Sequence, residues 1–360
     1  MDLVTVNYGG KMNTKQDKIN IANILLTQRC NLECEYCHLV QNYKHKPPEY
    51  PDVQEYAKGE LKAEEWINIF KRLIKNNPEM FFILYGGEPF LYPEINTIVQ
   101  WFHDNGIAYT IITNNTDAVQ DKIQSLYDQV GQIRGLSSSV DPILYDYSKQ
   151  GTDRFEKCFA GLQRLVQIKK DGIADDVVAE ITADKGNIND LPALVKNLSH
   201  HGIWSDITCI DHKGNNYYDF AADAGDDLLL TGADVDTAFT AILSHPEWLV
   251  HTRPILRIVQ KNLPHNIKCY LHNDVHNVTI DPTGHFRLCL RIRGVESPIL
   301  LLDDVIDKDG RVQYKFATAL GKDFNKYCEG CNWPCIIMSK FSSEEIIDHV
   351  RSDNETKDKN

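Results

Sequence analysis

The sequence predicts an α/β fold: a curved, open partial barrel of six parallel strands, a (β/α)6 arrangement, followed by a small unit built on a β-hairpin and a helix. Three observations predict it. Six short runs rich in β-branched or aromatic residues alternate with helix-like stretches over residues 19–211. Several of those runs end in Gly, Asn or Asp, the residues that turn a chain at a strand exit. After residue 269 the alternation stops and a hairpin pattern rich in cysteine takes over. Six strands are too few for a closed eight-stranded barrel.

In chain order, the predicted strands are Ile21–Leu26, Phe81–Tyr85, Ala108–Thr113, Gly135–Val140, Val177–Thr182 and Asp206–Asp211. The helix over Lys62–Asn76 places Trp66, Ile69, Phe70 and Leu73 on one face. Phe155–Lys169, Asp190–His200 and Ala233–Leu243 also read as helices. Val275–Ile280 and His285–Leu290 flank the turn Asp281-Pro282-Thr283-Gly284, a hairpin signature. The expected organisation is an N-terminal arm over 1–18, a core domain over 19–211, a connecting segment over 212–268, a cysteine-rich domain over 269–345 and a charged tail over 346–360.

The 360 residues are 42% hydrophobic and 25% charged, ordinary values that exclude a fibre, a channel or a mainly disordered chain. No apolar run approaches the roughly 20 residues of a membrane span, and the N-terminus shows no signal-peptide pattern. A cytoplasmic protein with no membrane partner is therefore expected. The net charge of −13 repels phosphate backbones, so nucleic acid is a disfavoured partner. Ten cysteines without an export signal point to metal binding or catalysis rather than disulfides.

Cys30, Cys34 and Cys37 form a C-x3-C-x2-C cluster directly after the first predicted strand. Three thiolates so close together can wrap one metal centre. Zinc with His38 as fourth ligand is one solution, and an iron–sulfur cluster with one open iron is another. The following strands deliver small and polar groups to the same rim: Gly86-Gly87-Glu88-Pro89, Thr113-Asn114-Asn115 and Ser137-Ser138-Ser139-Val140-Asp141. Active sites of such sheets lie at the C-terminal strand ends.

These residues resemble the radical S-adenosylmethionine (SAM) superfamily over about residues 19–211, through Cys30, Cys34, Cys37, the aromatic Tyr36 and the Gly86-Gly87-Glu88-Pro89 segment. The resemblance implies a 4Fe-4S cluster on the three cysteines, with SAM bound at the fourth iron. It implies that Glu88 and the carbonyls near Gly86 and Gly87 meet the SAM ammonium, and that Thr113, Asn114, Ser139 and Asp141 meet its ribose or methionine. Arg154 or Lys149 is a candidate for its carboxylate. Read singly, Asn115, Ser137 and Ser138 are equally turn or strand-end residues.

Cys269, Cys289, Cys328, Cys331 and Cys335 resemble the auxiliary-cluster extension of that superfamily in its twitch or SPASM forms. Five cysteines imply one auxiliary 4Fe-4S cluster, with either Cys331 or Cys335 as the fourth ligand; a structural zinc is the alternative. His272 and His276 read as exposed hairpin residues, and Cys158 as a buried helix residue. Cys209, on the sixth strand, is a candidate catalytic hydrogen donor facing the barrel interior or else a core thiol; a non-ligating Cys335 is its rival. By family association, the substrate is a peptide or protein, to be crosslinked, epimerised or oxidised, or else a small molecule. Electrons would come from a reductant such as flavodoxin or ferredoxin. A zinc-binding scaffold without catalysis is the alternative from another class.

Overall fold

The computed structural model describes residues 19–32, 34, 58–140, 153–209, 230–262, 277–287 and 301–311. Six strands alternate with helices as the sequence predicts: β1 (Ile21–Thr27), β2 (Phe81–Gly86), β3 (Ala108–Thr113), β4 (Ile133–Val140), β5 (Ala174–Ala183) and β6 (Trp204–Cys209). Between them run α1 (Ala63–Ile74), α2 (Ile95–Asp104), α3 (Asp117–Val130), α4 (Asp153–Asp171) and α5 (Leu191–His200), and α6 (Gly232–Leu243) and α7 (Arg253–Asn262) follow β6. The sheet order is β6-β5-β4-β3-β2-β1, with every neighbouring pair parallel. It is an open half-barrel with an α/β crossover between successive strands.

Strand alternation sorts the side chains onto two faces. Ala22, Ile24, Phe82, Leu84, Tyr109, Ile111, Leu136, Val177, Ala179, Ile181 and Ile207 are buried under the helices. Asn23, Ile83, Tyr85, Thr110, Ile112, Glu180, Thr182, Asp206 and Thr208 occupy the alternate positions and are only half-buried. The first face is the core; the second lines the concave interior. The predicted stripe of α1 holds, since Trp66, Ile69, Phe70 and Leu73 are all buried. Phe70 packs on Phe82 of β2 at a ring-centroid distance of 5.2 Å and on Phe102 of α2 at 5.1 Å.

The predicted hairpin forms from β7 (Asn277–Ile280) and β8 (Phe286–Arg287), which pair antiparallel around the Asp281–His285 turn. It does not stand apart from the barrel. β7 pairs parallel with β1, Ile21 opposite Asn277 and Ile24 opposite Ile280, so a seventh parallel strand covers the β1 edge. The turn then docks on the segment before α1: Leu61 N donates to the Pro282 carbonyl at 2.8 Å. Farther on, α8 (Leu302–Val305) and the turn after it dock on α1. There Arg72 donates to the carbonyls of Ile306 (2.6 Å) and Asp307 (3.0 Å) and pairs with Asp303.

Candidate active site at the strand C-termini

Two backbones meet where β1 and β2 end. Gly87 N donates to the Thr27 carbonyl at 2.8 Å, and Glu88 N donates to the Arg29 carbonyl at 2.7 Å. Glycine is required for this approach: a Cβ on Gly86 would lie 2.3 Å from the Thr27 oxygen, and one on Gly87 would lie 2.2 Å from the Arg29 oxygen. The glycine pair therefore clamps the chain immediately before Cys30.

Glu88 continues the clamp sideways. Its carboxylate is fully buried. Oε1 accepts from Phe90 N at 3.0 Å and from the Thr113 hydroxyl at 2.9 Å, and Oε2 accepts from Asn114 N at 2.7 Å. Burial pushes this carboxyl above its ordinary pKa, while the three donors and the charge of Lys122 pull against that rise. Glu88 thus ties the end of β2 to the end of β3 and caps the single turn over Pro89–Leu91. Thr113 is buried, and its hydroxyl also accepts from Asn115 N at 3.1 Å.

Asn114 carries the tie to the cysteine loop. Its Nδ2 donates to Asn31 Oδ1 at 2.7 Å and lies 3.7 Å from Cys30 Sγ, and Leu32 N donates to the same sulfur at 3.4 Å. N–H groups aimed at sulfur stabilise a thiolate, the form that binds metal. Cys30 is exposed and Cys34 half-exposed, so both sulfurs are within reach of an incoming group. This donor set fits an iron–sulfur cluster.

A second support went unseen in the sequence. Glu60, just ahead of α1, accepts from the Thr27 hydroxyl and pairs with Arg29 at 2.5 Å. Arg29 N and Nε both point to Thr27 Oγ1, at 3.1 and 3.2 Å. An acid before a helix reads as an ordinary N-terminal charge, and only the fold brings it to β1.

The other predicted residues divide. Asn115 is buried in the left-handed region at φ 50°, with its carbonyl accepting from Arg164 Nε at 2.7 Å; it is a turn residue. Ser137 and Ser138 are buried, whereas Ser139 is exposed and stands level with Glu180 of β5. Cys209 is 6% exposed and belongs to the core cluster with Ile181 and Ile207. Its register partner is Ala183, and the concave positions of β6 fall to Trp204, Asp206 and Thr208. Alternation thus puts the thiol on the helix-covered side, opposite to the orientation a hydrogen donor needs. Tyr36, Cys37, His38, Asp141, Lys149, Cys269, His272, His276, Cys289, Cys328, Cys331 and Cys335 lie outside the described residues, as do the arm over 1–18 and the tail over 346–360. The side chains of Arg154 and Cys158 are also outside them.

The concave wall of β5 and β6 carries two acids that sequence reading did not single out. Glu180 and Asp206 are register partners on adjacent strands. Burial, then the charge of Asp206, pushes the Glu180 carboxyl well above its ordinary value; burial pushes Asp206 up to about 6. Acids at the concave positions, Asp176 and Glu180 on β5 and Asp206 on β6, were the available signal.

A family model described as the Radical SAM superfamily matches residues 24–221. The chain belongs to that superfamily. Membership implies SAM and a 4Fe-4S cluster, in keeping with the exposed sulfurs at the rim. Among relatives, GTP 3',8-cyclase from Microcystis aeruginosa (strain NIES-843 / IAM M-2473) is 27% identical over 184 residues, 49% of this chain and 53% of the relative. Radical SAM cyclopropyl synthase TigE from Paramaledivibacter caminithermalis is 23% identical over 215 residues, 56% of this chain and 45% of TigE. The chain thus spans about half the length of the curated relatives it matches. Streptococcus suis SuiB bound to precursor peptide SuiA shares the fold with a TM-score of 0.58 at 15% identity, covering 88% of this chain and 72% of SuiB. The structure of anSMEcpe with bound AdoMet and Kp18Cys peptide does so with a TM-score of 0.51 at 12% identity, covering 86% and 89%. No helix among the described residues is long and apolar enough to cross a membrane.

Proposed function

We propose that this radical SAM protein is an enzyme that cleaves SAM reductively and abstracts a hydrogen atom from a peptide or protein substrate. The observation that carries the reading is the clamp of Gly87 and Glu88 on Thr27 and Arg29, which presents Cys30 at the rim with N–H groups directed at its sulfur. Cys30, Cys34 and Cys37 would hold the 4Fe-4S cluster. Cys269, Cys289, Cys328 and either Cys331 or Cys335 would hold one auxiliary cluster. When bound, the cluster and SAM supply a one-electron cleavage that yields a 5'-deoxyadenosyl radical. The chain's own residues fix the cysteine loop through Glu60, Gly87 and Asn114, and leave Ser139 exposed on the concave side for a ligand.

Peptide is favoured over nucleotide triphosphate by the concave wall. Glu180 and Asp206 face that cavity without a cationic partner among the described residues, and they oppose a polyphosphate. The likeness in fold to SuiB bound to a precursor peptide supports the same choice.

The test is anaerobic reconstitution of the full chain, with iron counting and an assay of 5'-deoxyadenosine after dithionite and SAM. Two clusters give about eight irons, and a variant with Cys30, Cys34 and Cys37 all changed to Ala retains about four and loses cleavage. A reconstituted wild type that holds zinc and leaves SAM intact sinks the proposal.

A further inference from the structure

The concave face of β5 and β6 holds a polar group that the cluster and SAM contacts do not use. Glu180 and Asp206 sit side by side, three residues before the last residues of their strands. At about 3.3 Å per residue they lie about 10 Å below the rim that carries the cysteine loop. The Ser137 hydroxyl reaches Glu180 from β4, and Thr252 reaches Asp206 from the segment that bridges to the free edge of β6. These contacts leave one oxygen of Asp206 unmet. Asp206 Oδ1 is sealed from solvent and has no hydrogen-bond partner among the described residues, while the residue as a whole is half-buried on the concave wall.

No Lys or Arg among the described residues pairs with either acid. The other titratable groups on this wall are Asp176, on the same face of β5 toward its N-terminal end, and His251, which stacks on Trp204 at 4.4 Å. Two adjacent carboxylates without a counter-ion are costly, and an orphaned buried acceptor adds to that cost. One cation bearing several N–H donors would relieve both: it meets the paired charge and supplies Oδ1 with its missing donor.

We propose that Glu180 and Asp206 form a subsite for one positively charged nitrogen group of the substrate, a primary ammonium or a guanidinium. The assignment rests on the reading of this chain as an enzyme whose substrate enters the concavity. A lysine or arginine side chain, or the amino terminus of a peptide, carries the required chemistry. The ammonium of SAM carries it too, so the test separates the two sources.

The probe is n-butylammonium chloride, with n-pentanol as its neutral isostere. Each is titrated calorimetrically into the reconstituted full chain, with and without saturating SAM. The wild type is expected to bind n-butylammonium at least tenfold tighter than n-pentanol; equal affinity overturns the proposal whatever the variants do. Glu180→Gln and Asp206→Asn are each expected to weaken n-butylammonium at least tenfold and to leave n-pentanol unchanged. Unaltered ammonium binding in both variants also overturns it. Retention of the ammonium in the presence of SAM supports a substrate subsite, and its displacement by SAM overturns that assignment. 5'-Deoxyadenosine formation by the same wild-type preparation tests the enzymatic reading separately: its absence, with ammonium binding intact, refutes the enzyme and leaves the cation site standing.

Discussion

Gly87 has no room for a side chain: its Cβ would lie 2.2 Å from a backbone oxygen that cannot swing away. Gly87→Ala is therefore expected to push the Arg29 carbonyl outward and break its bond to Glu88 N. A cost of about 1–3 kcal/mol is expected for such overpacking. The checks are a lowered melting temperature and loss of about four irons on reconstitution; a variant that loads and melts like wild type refutes the clamp. At this scale the sequence was only partly readable. The glycine pair and the cysteine spacing are visible as residues, because their chemistry needs those types. The roles of Glu88 and Thr113 are not, because the same residues suit a ligand contact and a protein tie equally well. Three donors from the capping turn and the end of β3 reach the Glu88 carboxylate, a tie that shows only once the two strand ends are brought together. Asn31 and Glu60 gave no signal, since their partners are remote in the chain.

Strands were the most legible elements. Runs such as Ala108–Thr113 carry their own signal, and the observed β3 has the predicted bounds. The face of a strand was harder. Cys209 was expected either to look into the concavity or to be a core thiol; register with Ala183 places it in the core, and Asp206 takes the interior position. The β5–β6 pair also fixes how stability varies with pH. Both carboxyls are held above their ordinary values, chiefly by burial, so the folded state favours their protonated forms. Their contribution is fully present below the unfolded carboxylate pKa and is lost as pH rises through the folded values, about 6 for Asp206. Glu180→Gln removes part of that loss. Thermal melts should show the variant gaining about 2–4 °C per kcal/mol relieved at pH 8, and little or nothing at pH 4. A variant less stable than wild type at pH 8 contradicts the pairing.

Across the whole molecule, residues 277–287 and 301–311 are stitched to the first strand and the first helix. Local pattern predicted the hairpin, but not that its first strand enters the main sheet, because a parallel pairing between distant segments leaves no local trace. Arg72 fastens α8 and its following turn through two carbonyls and the Asp303 carboxylate. Arg72→Ala should raise amide exchange at Ile306 and Asp307 by at least tenfold, about 1.4 kcal/mol, the scale of a lost charge-assisted bond. Unchanged exchange there would mean that the turn holds itself. The β1–β7 pairing also bears on how the protein is made. As the chain leaves the ribosome, β1 precedes its edge partner by about 250 residues, and that edge lacks its β7 pairing until residues 277–280 arrive. The segment Glu60–Leu61, which steadies the cysteine loop, likewise waits for Pro282. Ordering of the cysteine loop is thereby tied to the arrival of residues 277–282, after all six barrel strands have been made.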